Sequence, residues 1–174
     1  LIKPIRKIRG KFAKIRGVKD SKKLSKKKRE EFYKILTNPP AGGPQIAWGI
    51  GKVSEKVIDK INILEATKSA MEKAIKNLTK KLAKNSLYHN SYDRALYDTR
   101  VDFLILDGRM KINLPIAQKS IVKADEKVFS CAAASIIAKV TRDRIMQKYH
   151  KKYPQYGFDK HKGYATKLHR KMLK

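Results

Sequence analysis

Cysteine occurs once, at Cys131, so no intrachain disulfide can form and no cysteine cluster can hold zinc. Long apolar runs are missing too. None approaches the roughly 20 residues that a membrane-spanning helix needs. The basic N-terminus is not followed by an apolar core and a small-residue cleavage site, so no secretory signal is expected. A reduced cytoplasm fits these absences best. Acids are scarce as well: Asp and Glu together number 15, against 43 Lys and Arg. The resulting +28 favours a polyanionic partner, because neutralising phosphates releases condensed counterions.

The 174 residues suit one domain, 1–174, and the 41% hydrophobic share is enough for a real core. Residues 1–16 are strongly basic with scattered isoleucines, and they read as the tail of a strand running into a loop. Residues 17–25 are turn-like. Ser25 is placed to cap a helix over about 26–37 with Phe32, Ile35 and Leu36 on one face. Asn38 to Pro44 breaks it. A β-prone run follows, and a strand is predicted near 46–53. Residues 61–84 show the clearest helical spacing, with Leu64, Met71, Ile75, Leu78 and Leu82 on one side and mostly lysine opposite. Residues 85–100 read as a polar insert.

The run Phe103-Leu104-Ile105-Leu106 reads as a buried strand ending at Asp107-Gly108. Another strand is predicted over 116–123. A long helix over about 127–151 should bury Phe129, Ala133, Ile136, Ile137 and Val140, and a turn and a last short helix follow. Strands mixed with helices give an α/β sheet flanked by helices. Three short strands are few for so many helices, which suggests strands missing from the N-terminal side.

Asp107 is the first candidate for chemistry, because sites in α/β sheets commonly lie beyond the carboxyl ends of strands. An Asp-Gly pair is also an ordinary turn. Asp125 is the second, between a strand and a helix, where an acid also suits the helix dipole. Together the two carboxylates could hold Mg²⁺ or Mn²⁺, which take oxygen ligands. His161 to Tyr164 interleaves basic groups with an aromatic ring, as a sugar-phosphate contact requires. Ser21, Lys22 and Lys23 offer donors beside a helix start. Trp48 and Cys131 read as packing residues, and His89, His150 and His169 as surface residues without metal-ligand spacing.

Taken together, these segments resemble the ribonuclease HII family. Residues 17–25, GVKDSKKLS, are similar to its GLxDSKKLS loop, and residues 61–67, INILEAT, to the start of its central helix. Leu104 to Gly108 is similar to its strand-ending carboxylate motif. Val122 to Asp125 resembles its K-G/A-D motif. Residues 132–143, AAASIIAKVTRD, and the ending from Tyr153 through His161-Lys162-Gly163-Tyr164 also follow the family, in the family's order. The resemblance runs from about Gly17 to the C-terminus.

It implies a ribonuclease H-like mixed sheet flanked by helices. It also implies a monomeric, metal-dependent endonuclease that cuts RNA in RNA–DNA hybrids and at ribonucleotides embedded in duplex DNA, leaving 5′-phosphate ends. Asp107 and Asp125 would then be catalytic, metal-binding carboxylates served by Mn²⁺ or Mg²⁺. Tyr164 would pack on the deoxyribose beyond the ribonucleotide. Ser21, Lys22, Lys123 and His161 complete the substrate-facing set. The family's Asp-Glu-x-Gly-Arg-Gly strand, which carries two further carboxylates, does not occur in these 174 residues. The expectation is therefore a chain whose first strand or strands are missing. The alternative is a non-catalytic basic nucleic-acid binder, a relic lacking the first two catalytic carboxylates.

Overall fold

The computed structural model describes residues 21–39, 46–86 and 101–173. The expectations for residues 1–20, most of the 38–44 break, the 85–100 insert and His89 fall outside the described residues, apart from the chain ends that border them.

A 3-10 turn, Ser21–Lys23, leads into helix α1, Lys26–Thr37. Ser25 caps that helix, its side chain accepting from the Lys28 amide at 3.3 Å. The helix stops at Asn38, before Pro39, whose ring disfavours a helical residue ahead of it. Its inward face carries Leu36, fully buried, with Phe32 and Tyr33 beside it. These pack on helix α4, Phe129–Lys152, through Ala133, Ile136, Ile137 and Val140. At the rim Arg144 bridges to Glu30 at 2.6 Å and lies over the Tyr33 ring.

The strand expected near 46–53 is not formed: among the described residues this stretch has no ladder partner. Its glycines instead let the main chain lie directly on helix α2, Glu55–Ser86. A Cβ on Gly51 would come within 1.8 Å of the Ala70 carbonyl oxygen, and one on Gly49 within 2.2 Å of that of Ala74. Ile46, Trp48 and Ile50 join the α1–α4 core, and Lys81 sits over the Trp48 ring.

Helix α2 is two helices joined at Asn62, whose φ of 65° and ψ of 170° interrupt it. The Asn62 side chain accepts from the amides of Leu64 and Glu65 at 2.9 and 3.2 Å, so it caps the second segment. The helix predicted from residue 61 therefore begins just past that asparagine. Leu64, expected in the core, is 48% exposed at this first turn, whereas Met71 and Ile75 pack inward.

Strand β1, Phe103–Asp107, pairs in parallel with β2, Ala117–Ile121, with Asp107 opposite Ile121. Among the described residues two strands stand where three were expected, and their sheet is wholly parallel. Parallel neighbours usually need a crossover of about a dozen residues or more. Here residues 108–116 suffice, because the link folds tightly against β2. The Gln118 amide accepts from the Ile112 nitrogen and donates to its carbonyl, both at 3.0 Å, and the Ser120 hydroxyl donates to the Met110 carbonyl. Ile112 is buried with Leu104 and Leu106 in a second core cluster.

The long helix expected from 127 is preceded by a separate short one, α3, Ala124–Lys127. Val128, in extended conformation, separates it from α4. Phe129, expected on the buried face, is 38% exposed beside this break. After α4 come a 3-10 turn, Pro154–Tyr156, and helices α5, Phe158–His161, and α6, Lys167–Met172. No helix among the described residues is long and apolar enough to cross a membrane.

Candidate active site

Asp107 is the last residue of β1, and Gly108 turns the chain away with a φ of 104°. The Gly108 amide donates to the Ile121 carbonyl at 3.0 Å, so the two strand ends stay level. From there β2 passes through Val122 and Lys123 into α3. Lys123 holds φ 57° and ψ 45°, a left-handed conformation that reverses the chain in one residue. The reversal brings the first amide of α3 back to β1. The Ala124 amide donates to Asp107 Oδ1 at 2.9 Å, and Ala124 itself is fully buried.

Asp125 follows Ala124 directly, so the two acids predicted from sequence lie around one buried residue. Cys131 registers both. Burial pushes its thiol up, a hydrogen bond with Ser130 pulls it down, and the negative charges of Asp107 and Asp125 each push it up further. The thiol donates weakly to the Ile105 carbonyl at 3.6 Å. Both candidate groups are carboxylates, the donor type that Mg²⁺ and Mn²⁺ take, and one oxygen of Asp107 is held in place by the α3 amide. This donor set fits a hard divalent ion. Among the described residues no group of three or more His, Cys, Asp or Glu side chains gathers for a metal.

The Ser21–Lys23 turn reaches the same region. Lys23 Nζ bridges to Glu126 Oε1 at 2.9 Å, joining the turn to the residue after Asp125. The turn also touches α4, and Arg29 reaches back to donate to the Ser21 carbonyl at 2.9 Å. Ser21 is only 6% exposed, whereas Lys22 and Lys23 face outward. Sequence reasoning placed Ser21 among the outward donors and did not find Glu126. Glu126 carries no spacing signature, because residues 23 and 126 lie 103 positions apart and meet only through the fold.

Tyr164 is 57% exposed, with the Arg142 guanidinium 4.7 Å from its ring centre and the Lys139 ammonium 5.7 Å away. Both cations come from α4, where Lys139 also bridges to Asp143 at 2.9 Å. His161 does not face outward with the tyrosine. It is 7% exposed, and both ring nitrogens bond to main chain, Nε2 to the Tyr156 carbonyl at 2.6 Å and Nδ1 to the Gly163 amide at 3.1 Å. His169, read as a plain surface residue, stacks on His161 with ring centres 4.4 Å apart. His150 lies 3.3 Å from Asp159.

A carboxylate-tipped parallel strand, an acid-bearing short helix and a basic turn form a candidate acidic site within an otherwise cationic α/β protein. The family model described as Ribonuclease HII matches residues 5–174. The chain is 48% identical over 155 residues to "Ribonuclease HII" of Chlamydia caviae, covering 88% of this chain and 61% of that protein. It is 42% identical over 160 residues to the protein of the same name from Alkaliphilus oremlandii, covering 92% and 70%. With that of Desulfotalea psychrophila the identity is 44% over 154 residues, covering 88% and 59%. The chain belongs to the ribonuclease HII family, and it spans about three fifths of the length of the first of these relatives.

Proposed function

We propose that this chain forms the acidic-pair portion of an endonuclease that hydrolyses RNA in RNA–DNA hybrids and at ribonucleotides embedded in duplex DNA. The observation that carries the reading is the Ala124–Asp107 hydrogen bond, which fixes one carboxylate beside the helix bearing the other. Relatives bearing the name ribonuclease support the class of reaction.

Asp107 and Asp125 are the residues that would hold Mg²⁺ or Mn²⁺. A divalent ion held there would supply positive charge to a scissile phosphate and would make a water easier to deprotonate. The chain's own groups do the rest. Asp107 cannot swing away while the Ala124 amide holds it. Lys22, carried by the Ser21 turn, and Lys123 are exposed and would offer ammonium groups to substrate phosphates. Tyr164 offers a ring to a sugar, backed by Arg142. Discrimination of RNA from DNA must read the ribose 2′-hydroxyl, the only group that differs at the sugar. A lone thiol, with no disulfide to maintain, suits a reducing compartment such as the cytoplasm.

The test is nicking of a DNA duplex containing a single ribonucleotide. It uses the chain joined to the family's Asp-Glu-x-Gly-Arg-Gly strand. Cleavage at the ribonucleotide that needs Mg²⁺ or Mn²⁺ and is lost in Asp107→Asn is the expected result. Undiminished nicking by that variant would sink the assignment.

A further inference from the structure

The strongest unexplained feature is the pair of stacked histidines behind Tyr164. His161 Nε2 meets a carbonyl, so it carries the proton and donates to Tyr156 at 2.6 Å. Nδ1 is then the acceptor for the Gly163 amide at 3.1 Å. The His161 carbonyl accepts from the Tyr164 amide at 2.9 Å. His169 Nδ1 lies 3.0 Å from the Tyr164 carbonyl and must donate to it. The main chain of Tyr164 is thus held on its nitrogen side by the His161 carbonyl, next to the Gly163 amide that the His161 ring holds, and on its oxygen side by the His169 ring together with the Thr166 amide at 2.8 Å. The two rings stack at 14°, with Phe158 edge-on to both.

The turn needs such restraint. Lys162 and Gly163 hold φ of 51° and 81°, and a Cβ on Gly163 would come 3.3 Å from Met146 Cε. Left-handed conformations in succession are poorly populated without fixing contacts. Neither histidine is open to substrate on the side that bonds the turn. The Tyr164 ring is the exposed product of the arrangement.

We infer that His161, through the Gly163 amide, and His169, through the Tyr164 carbonyl, are positioning residues that clamp the turn carrying Tyr164 and so set where its ring meets the sugar of a ribonucleotide-containing duplex. The inference rests on the reading of Tyr164 as a substrate contact. His169 is the better handle, because its bond to Tyr164 runs through one nitrogen. In His169→Asn the side-chain amide can donate from the place of Nδ1. In His169→Gln the amide sits one atom further out, and in His169→Leu no donor remains.

The experiment measures the dissociation constant for a duplex with one embedded ribonucleotide by fluorescence anisotropy. Ca²⁺ is present, and the 174-residue chain is used with thermal unfolding of each variant recorded. His169→Leu and His169→Gln are expected to weaken binding about fivefold, the loss of one hydrogen bond. His169→Asn should bind within about twofold of the parent. In a Tyr164→Ala background the His169 changes should have little further effect, because groups acting through one another are non-additive. If His169→Leu fails to fold, the Asn-against-Gln contrast carries the test. Equal losses in both backgrounds would overturn the inference, as would Asn no better than Gln, or no loss in any His169 variant while Tyr164→Ala binds weakly. Unchanged binding by Tyr164→Ala would instead overturn the reading of Tyr164 itself.

Discussion

Asp107 and Ala124, 17 residues apart in sequence, are joined by a 2.9 Å hydrogen bond from the main-chain amide of one to the carboxylate of the other. The bond gives the strand-end acid a structural duty alongside any chemical one. Asp107→Asn keeps an oxygen for the Ala124 amide, whereas Asp107→Ala leaves that amide without its partner. Thermal or urea unfolding should place the asparagine variant near the parent and the alanine variant lower by ~1 kcal/mol. Equal stability of the two would mean that the bond contributes nothing.

Gly51→Ala should be among the most damaging single changes in the chain. The new methyl would lie against the Ala70 carbonyl oxygen and backbone, which cannot rotate away. Pushing residues 46–54 off α2 also disturbs Ile50 and Trp48 in the core. A loss of roughly 2 kcal/mol or more in unfolding free energy is expected. A loss under about 0.5 kcal/mol would show that the segment can shift cheaply.

Lys123 combines a costly backbone with an exposed positive side chain. Glycine adopts its left-handed conformation freely, so Lys123→Gly should raise stability by up to ~1 kcal/mol. The same change removes one phosphate-facing charge and should lower the salt dependence of nucleic-acid binding by about one unit of slope. Titrating binding against salt separates the effects. An unchanged slope would remove Lys123 from the interface.

Cys131 reports on the acids. Its thiol is held above its ordinary value, so in the folded chain it stays protonated where an unfolded one ionises. The folded state then binds more protons, and stability should fall as pH climbs through the unfolded thiol's ordinary value of about 8.5 and on towards the folded one. Cys131→Ala should flatten that alkaline decline. Iodoacetamide should label the native thiol at pH 8 more slowly than a small free thiol, and faster once Asp107→Asn removes one negative charge. Labelling as fast as a small thiol would contradict the burial.

Asn62→Ala removes the acceptor for two amides and leaves a residue with a Cβ in a backbone conformation that alanine disfavours. A cost of about 1–2 kcal/mol is expected in chemical denaturation.

Much of the fold was legible because its signals are local. The 12-residue α1 appears with its predicted cap, since Ser25 and the Phe32–Leu36 spacing are both short-range facts. The apolar run ending in Asp107 became a strand, but not one buried along its whole length as expected: Leu104 and Leu106 are buried while Phe103 is 51% exposed, so the run's length and β-prone residues marked the strand and not its burial. The stretch at 46–53 failed all the same. A β-prone composition describes an extended chain, but a strand is defined by its neighbour, and here the neighbour is a helix. Asp107 and Asp125 are candidates that the sequence offers one at a time, at element ends. That one buried alanine ties them, and that Lys23 meets Glu126, depends on left-handed Lys123, which no spacing reveals. The His161 ring was expected outward because the motif is basic, yet neighbouring main chain claims both its nitrogens.

The short link between β1 and β2 bears on how the acidic site comes into being. Strand, nine-residue connection, strand and α3 occupy residues 103–127 without interruption, and the Gln118 and Ser120 side chains fasten the connection from within. Contacts this close in sequence close small loops and form fast. Asp107 and the short helix that bears Asp125 are therefore tied together inside a single contiguous peptide, and their relative placement is inherited as a cassette rather than assembled from distant parts of the chain.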